Sequence, residues 1–219
     1  MTQDHPTSRD LPLVPGQSAL LFIDVQNFSA DPKGGEYEGM DPADFEERYG
    51  WYFRHFTGET LPNMQRLQGA FRRHGIEVMY TVIESLTRDG RDRSLDYKIT
   101  GFNVARGSRD GQVIDALAPG EDEIVIPKTS SSVFISTNID YVLRNLGVRQ
   151  LVISGLLTDQ CVDSAVRDAC DLGYLVTVVT DACATHSSER HESSLRLNRG
   201  YCRQVTTEAL LAELDRNEL

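Results

Sequence analysis

Long hydrophobic runs are missing from this chain of 219 residues. No apolar stretch approaches the ~20 residues that a membrane-spanning helix requires. The opening stretch, MTQDHPTSRDLPLVPG, is also too polar to contain the apolar core of a secretion signal. We therefore expect no membrane partner and a cytoplasmic location.

Basic residues are scarce: 22 Lys and Arg stand against 33 Asp and Glu, which gives a formal net charge of −11. Nucleic acids and anionic membranes are bound by basic surfaces, so this balance argues against both as partners. A small-molecule substrate is still compatible with it, even an anionic one, because a local pocket can be basic on an acidic protein.

Paired cysteines are absent as well. None of the four cysteines belongs to a C-x-x-C pair, and no histidine stands at the spacing of a zinc ligand. Thiols stay reduced in the cytoplasm. We therefore predict neither a disulfide framework nor a structural zinc site, and four free thiols: Cys161, Cys170, Cys183 and Cys202.

Internal repeats and low-complexity segments are lacking too. A hydrophobic content of 40% over this length suits one soluble domain with a substantial core. We place that domain at 16–215, after a flexible N-terminal segment at 1–15.

What the chain does contain is an alternation of short apolar runs with segments of helical periodicity. The apolar runs predict strands at 18–24, 76–84, 122–128, 149–157 and 174–182. The helical segments lie at 61–75, 111–120, 137–147, 158–173 and 187–200, two of them with Thr137 and Thr158 as N-caps. This alternation predicts an α/β fold whose parallel sheet is covered on both faces.

Two segments interrupt the alternation. Residues 29–60 are rich in glycine, proline and aromatic residues, and residues 85–110 are polar and basic. Long loops in compact domains are more often functional than idle. We interpret both as segments that cover a pocket; the alternative is that both are ordinary solvated loops.

Three reactive side chains stand where predicted strands end. ALLFI is followed by Asp24, EIVIP by Lys128, and LVISGLLTDQ by Cys161 at a predicted helix start. In a parallel sheet, ligands bind beyond the carboxyl ends of the strands, so we expect these groups to converge. Taken singly, each has a simpler explanation: a capping aspartate, a solvent-facing lysine and a core cysteine.

An acid, an amine and a thiol together suit nucleophilic catalysis. A thiol has an ordinary pKa of about 8.5, and we expect the helix start and Lys128 to favour the thiolate. Asp24 would accept the thiol proton and later donate it to a leaving group. Backbone amides at 157–161 would bind the oxyanion. The set predicts acyl transfer to Cys161 and then hydrolysis, whereas Cys170 is predicted to pack in the core.

Three stretches of the chain resemble the isochorismatase-like, or cysteine hydrolase, superfamily over roughly 16–210. They are ALLFIDVQNFSADPKG, IVIPKTSSSVFISTNIDYVLRNLGVRQLVISG and GLLTDQCVDSAVRDACDLGYLVTVVTDACAT. The resemblance implies a three-layer sandwich with a central six-stranded parallel sheet and helices on both faces. It also implies assembly as a homodimer or homotetramer.

At the level of residues, the resemblance implies that Asp24, Lys128 and Cys161 are catalytic and that Cys161 is the nucleophile. It further implies a cis peptide bond between Leu156 and Leu157. That bond would direct the amide of Leu157, together with the amide of Cys161, towards the substrate oxyanion.

The resemblance also bears on the substrate. Nicotinamidases of this superfamily carry a metal-binding Asp-x-His-x-x-His, but the matching region, TVIESLTRDGRDRS, holds no histidine. We therefore expect no metal and no cofactor. The complete acid, amine and thiol set favours hydrolysis of a C–N bond in an amide, carbamoyl or ureido substrate, as in N-carbamoylsarcosine, ureidoacrylate and biuret hydrolases. The alternatives are an isochorismatase-type enol-ether hydrolase and a catalytically silent scaffold or thiol sensor.

Five further side chains are candidates for contact with the substrate. They lie in the two long segments, at the end of the second strand and after the lysine strand: Phe28, Tyr37, Trp51, Glu84 and Phe134. Arg88, Arg91 and Arg93 could recognise a carboxylate or belong to a solvated loop. We expect His186 and His191 to face solvent or a neighbouring subunit.

Overall fold

The computed structural model describes residues 8–216. Six parallel strands form its centre: β1 Ser18–Ile23, β2 Glu77–Ile83, β3 Ile124–Lys128, β4 Gln150–Leu156, β5 Leu175–Ala184 and β6 Arg203–Val205. Their order across the sheet is β3-β2-β1-β4-β5-β6. The chain therefore runs outward from β1 to one edge, returns, and runs outward again from β4. The two halves meet between β1 and β4, which makes this pair the topological switch point.

Nine α-helices accompany the sheet within the described residues. The first six are α1 Asn27–Ala30, α2 Pro42–His55, α3 Leu61–Arg73, α4 Leu95–Ile99, α5 Val133–Ser136 and α6 Ile139–Asn145. The last three are α7 Asp163–Asp171, α8 Ser188–Asn198 and α9 Thr207–Arg216. Across residues 8–216, none of the helices has the length and apolarity needed to cross a bilayer.

Two hydrophobic cores fill the space on either side of the sheet. Within β1, Leu20 and Phe22 belong to one core, and Leu21 and Ile23 belong to the other. This alternation places successive side chains on opposite faces, so a continuous apolar run is what a strand buried on both sides requires. The first core is completed by α2, α3 and α9 and the second by α6 and α7. The structure confirms the predicted α/β sandwich with a six-stranded parallel sheet.

Segment 29–60 is not the irregular loop that the sequence predicts, because α2 occupies much of it. Asp41 caps this helix by accepting a hydrogen bond from the amide of Ala43 at 2.8 Å, and Pro42 holds the first helical position. Both features are start signals for a helix. The helix buries Tyr49 and Tyr52, so part of the segment belongs to the core.

The helix predicted at 111–120 is absent from the described chain. Only two short 3-10 turns, Arg109–Gly111 and Asp115–Leu117, flank an extended stretch here. That stretch pairs with the residues after β1, because the amide of Asn27 donates to the carbonyl of Gln112 and the amide of Ile114 donates to the carbonyl of Val25. Pairing with another segment replaces the local helical hydrogen bonds.

Part of the predicted flexible N-terminal segment, 1–7, lies outside the described residues. Further along it, the amide of Leu13 donates to Glu213 Oε1 at 2.9 Å and the amide of Val14 donates to Gln150 Oε1 at 2.6 Å. These bonds attach the chain before β1 to α9 and to the start of β4. The assignment of 16–215 to a single domain stays a prediction.

Candidate active site

The structure brings Asp24, Lys128 and Cys161 together at the carboxyl edge of the sheet. Asp24 follows β1, Lys128 ends β3, and Cys161 lies in the turn Thr158–Val162 after β4. Lys128 Nζ lies 2.8 Å from Asp24 Oδ2 and donates to Cys161 Sγ at 3.3 Å. Asp24 and Cys161 thus come from the two strands that form the switch point, and the amine reaches both of them from the edge of the sheet.

Asp24 is held by its backbone and by the neighbouring strand. Its φ of 52° is in the left-handed region, which aspartate tolerates better than most residues. Its Oδ1 accepts a hydrogen bond from Thr81 Oγ1 at 2.7 Å. One carboxylate oxygen is therefore engaged by β2 and the other faces the amine.

Lys128 is a fully buried cation. Burial by itself lowers the pKa of the amine, but the nearby Asp24 carboxylate more than offsets this, and its pKa lies above the ordinary value. Nζ also donates to the carbonyl of Ser130 at 2.8 Å. The amine is thus a fixed positive charge in contact with both a carboxylate and a sulfur.

The structure opposes the expectation that the helix start and Lys128 favour the thiolate of Cys161. Burial and, to a smaller extent, the Asp24 carboxylate raise the pKa of this thiol to about 12, against the opposing effect of Lys128. The resting thiol is therefore protonated at neutral pH, and a base must remove its proton as it attacks.

Thr158 does not cap the following helix as predicted; its hydroxyl is 2.9 Å from His191 Nδ1.

Tyr97 is a site residue that sequence reasoning missed. It lies on α4, and its hydroxyl is 3.8 Å from Cys161 Sγ and accepts a hydrogen bond from Lys128 Nζ at 3.4 Å. Burial raises the pKa of this phenol above its ordinary value, so it remains a neutral hydroxyl. The available signal was the cap Ser94, which accepts from the amide of Tyr97, but a five-residue helix is too short to show periodicity.

A cavity of about 320 Å³ opens onto Asp24 and Cys161. Its wall includes Glu36, Tyr97 and Phe102 from the two long segments, so parts of both segments do line this pocket. Leu156 and Leu157 also line it, and the peptide bond between them is cis. Within residues 8–216, no group of three or more His, Cys, Asp or Glu side chains is placed to hold a metal ion.

The described wall of this cavity includes none of the five predicted substrate contacts. Phe28 packs edge-on against Phe102 and so supports the wall from outside it. Tyr37 donates its hydroxyl to the carbonyl of Ser29. The other three have partners of their own: Trp51 stacks on His55, Glu84 accepts from the amide of Gly107, and Phe134 packs against Tyr174.

The described cavity wall contains no arginine, so it includes none of the three arginines that could recognise a carboxylate. Arg93 donates to the carbonyls of Gly90 and Phe102 and thereby holds its own loop. Arg91 pairs with Asp89 on the surface, and Arg88 is exposed.

Glu36 is an acid in the cavity wall whose negative charge is not neutralised by an ion pair with a charged side chain. His186 Nε2 lies 3.7 Å from Glu36 Oε1, but burial and the charge of Arg190 lower the pKa of His186 to about 4, so the imidazole is neutral. Burial raises the pKa of Glu36 to about 7. His186 packs edge-on against Tyr49 and Tyr52, and so it faces the protein interior rather than solvent as predicted.

Replacing Glu36 with glutamine is expected to stabilise the protein at alkaline pH. The folded chain holds a proton on Glu36 up to about pH 7, whereas the unfolded carboxyl ionises near its ordinary value of 4.5. The native state therefore binds more protons in this window, and the wild type loses stability as pH rises through it. The full shift corresponds to roughly 3 kcal/mol.

The test measures urea unfolding of the wild type and Glu36→Gln from about pH 5 to about pH 8. As pH rises across this range, the free energy of unfolding should fall more in the wild type than in the variant, so the difference between the two should grow in favour of the variant. Glu38→Gln removes an exposed carboxylate two residues away and should show no such gain. A difference between Glu36→Gln and wild type that is independent of pH would contradict the prediction.

The fold and the site together define a class of protein: doubly wound α/β proteins with an acid, a buried amine and a thiol joined beside the switch point. The family model for the isochorismatase domain matches residues 18–209, and the chain belongs to this family. This result confirms the resemblance to the isochorismatase-like cysteine hydrolases.

Known relatives extend the comparison. Ureidoacrylate amidohydrolase RutB from Pseudomonas savastanoi pv. phaseolicola is 30% identical over 203 residues, which cover 84% of this chain and 76% of that protein. A cysteine hydrolase structure from Pseudomonas syringae pv. phaseolicola matches with a TM-score of 0.80 at 23% identity, covering 99% of both chains. N-carbamoylsarcosine amidase from Thermoplasma acidophilum matches with a TM-score of 0.66 at 24% identity, covering 87% of this chain and 96% of that one. The two structural likenesses bear on the fold.

Proposed function

We propose that this isochorismatase-family hydrolase cleaves a C–N bond of a small amide, carbamoyl or ureido compound through a thioester on Cys161. The observation that carries the proposal is the position of Lys128 Nζ, 2.8 Å from Asp24 Oδ2 and 3.3 Å from Cys161 Sγ, below a cavity of substrate size. The name of one relative, ureidoacrylate amidohydrolase, favours ureido compounds.

In the first half-reaction, Asp24 takes the proton from Cys161 Sγ as the sulfur attacks the carbonyl carbon. A C–S bond forms, and the carbonyl electron pair moves to oxygen. Negative charge thereby passes from the carboxylate to the sulfur and on to the substrate. Because Lys128 contacts both Asp24 and Cys161, its fixed charge stabilises the site before and after the proton moves. This accounts for a nucleophile that rests as a thiol.

The tetrahedral oxyanion collapses as the C–N bond breaks. Asp24 returns its proton to the departing nitrogen, which leaves as ammonia or an amine. We assign the backbone amides of Leu157 and Cys161 to the oxyanion, since both residues line the cavity beside the cis peptide. Water then attacks the thioester and gives a proton to Asp24. The C–S bond breaks, and that proton regenerates the Cys161 thiol.

A screen of primary amides, carbamoyl compounds and ureas for release of ammonia or amine tests the proposal. Hydrolysis of at least one such compound by the wild type, and none by Cys161→Ala, is the expected result. Release of pyruvate from isochorismate in place of ammonia would point to the enol-ether alternative. No turnover of any compound would support a silent scaffold or thiol sensor.

We further propose that the enzyme works as a homodimer or homotetramer in the cytoplasm, without a cofactor. The surface supports assembly, since several large apolar side chains are more than half exposed and available to a second copy: Leu95, Ile99, Ile135, Tyr141 and Leu197. Light scattering on the purified protein tests the oligomeric state.

Tyr97→Phe is expected to lower kcat about tenfold and to leave KM nearly unchanged. The hydroxyl contacts Cys161 Sγ and Lys128 Nζ, so its loss disturbs the reacting groups more than it disturbs a bound ground state. Steady-state kinetics on the best compound from the screen measure the effect. Tyr141→Phe, at a side chain that is 69% exposed, is the matched control. Equal kinetics for the two variants would remove Tyr97 from the mechanism.

A further inference from the structure

The cavity that holds Cys161 is acidic. Asp24, Glu36 and Asp96 all line it, and the described wall contains neither lysine nor arginine. Lys128, the cation of the catalytic set, is fully buried and already paired with Asp24. A ligand in this cavity therefore meets two carboxylates, Glu36 and Asp96, that the proposed reaction does not use.

Glu36 is the more enclosed of these two carboxylates. It lies in the short turn Gly35–Tyr37 and its side chain is only 12% exposed. Its Oε2 is buried and has no hydrogen-bond partner among the described residues. The hydroxyl of Tyr37 is close enough to Glu36 to lower the pKa of that acid, but it and the hydroxyl of Tyr52 both donate to the carbonyl of Ser29. A buried acceptor without a donor is costly unless something supplies one.

The charged groups around Glu36 do not supply that donor. His186 is a neutral imidazole whose Nε2 is also buried without a hydrogen-bond partner among the described residues. Arg190 pairs with Asp159, with Nε 2.6 Å from Oδ2. Because Arg190 donates to His186 Nδ1, the proton of this neutral imidazole is on Nε2, which lies 3.7 Å from Glu36 Oε1, beyond hydrogen-bond distance. The contacts of the described residues thus leave Glu36 Oε2 open to a donor from a molecule in the cavity.

We infer that Glu36 accepts a hydrogen bond from an N–H group of the substrate outside the bond that is cleaved. The substrate class is accordingly a small amide or urea that carries a second amide, amine or ammonium group and no carboxylate. This inference rests on the proposed function and narrows it, and it sets this chain apart from relatives named for ureidoacrylate and N-carbamoylsarcosine, both of which are carboxylates. Above about pH 7, where Glu36 is ionised, an N–H donor gains a charge-assisted hydrogen bond with it, whereas a substrate carboxylate is repelled by Glu36 and Asp96.

An isosteric pair of ureas tests the inference: 3-ureidopropanamide, which offers N–H donors, and 3-ureidopropanoate, which is an anion of the same shape. Calorimetry on Cys161→Ala at about pH 8, where Glu36 is ionised, measures binding without turnover. The amide should bind at least about tenfold more tightly than the carboxylate, as expected for one charge-assisted hydrogen bond. Adding Glu36→Gln should reduce that preference about tenfold, because glutamine can donate to a carboxylate.

Glu38→Gln in the same Cys161→Ala background is the matched control. Glu38 is exposed and does not line the cavity wall as described, so removing its charge should leave the preference unchanged. A preference for 3-ureidopropanoate overturns the inference. So does failure of both compounds to bind, or an equal effect of the two glutamate substitutions.

Turnover by the wild type separates this inference from the proposed function. Selective binding of 3-ureidopropanamide through Glu36, with no amide or urea hydrolysed, would refute the proposed function and leave the inference standing. Hydrolysis of 3-ureidopropanoate in preference to 3-ureidopropanamide would support the proposed function and refute the inference.

Discussion

Replacing Cys161 with alanine is expected to lower kcat/KM by at least about 10⁴-fold, as loss of a covalent nucleophile does in other hydrolases. The fold should survive, because Cys161 is a small side chain in contact with a cavity. Cys161→Ser keeps the volume but offers a hydroxyl that is harder to deprotonate, so it should also lose most activity. Ammonia release and circular dichroism measure the two effects.

Cys183→Ala is the matched control for this experiment. Burial raises the pKa of Cys183 to about 12, the same value as for Cys161. The two thiols differ in their partners, since Cys161 contacts Lys128 and is influenced by Asp24, whereas Cys183 lies within β5. Retained activity in Cys183→Ala would show that these partners, and not burial or a free thiol as such, make a nucleophile.

Mass spectrometry supplies a second measurement on the same residue. Trypsin releases residues 150–167 as one peptide, in which Cys161 is the only cysteine. During turnover of a slow substrate, the acyl group should appear on this peptide and not on 168–190, which holds Cys170 and Cys183. Full activity of Cys161→Ala would rule out the thioester and favour an enol-ether reaction with Asp24 as the acid.

The convergence of Asp24, Lys128 and Cys161 could be predicted because it depends on topology. Buried strands appear in the sequence as continuous apolar runs, and parallel strands all end at the same edge of the sheet. Any polar residue that directly follows such a run is therefore placed near the others. The structure adds which of these residues touch. Glu84, which also follows a strand, instead accepts from the amide of Gly107.

The cavity wall could not be predicted in the same way. Glu36, Tyr97 and Phe102 lie in segments without long regular periodicity, and their positions depend on which loop packs over which strand. The protonation state of the Cys161 thiol could not be predicted from local sequence either. Local sequence shows a helix start that favours a thiolate, but burial has the larger effect on the pKa, and burial depends on the whole fold.

Lys128→Met is expected to destabilise the protein by about 3–5 kcal/mol at neutral pH, as removal of one partner from a buried ion pair does. The side chains of Lys128 and Asp24 are 0% and 3% exposed, so the variant leaves the Asp24 carboxylate buried without its cation. Urea unfolding measures the loss. Lys98→Met, which removes an exposed lysine, is the control and should change stability little.

The double variant Asp24→Asn/Lys128→Met tests two roles of these residues separately: the balance of charge that the stability of the fold requires, and the charged groups that turnover requires. With both charges gone, the desolvation penalty of each ion disappears as well, so most of the stability should return. Turnover should not return, because neither the base nor the cation that contacts Cys161 is left. A double variant no more stable than Lys128→Met would show that Lys128 stabilises the fold through packing, and recovery of turnover would show that the ion pair is structural.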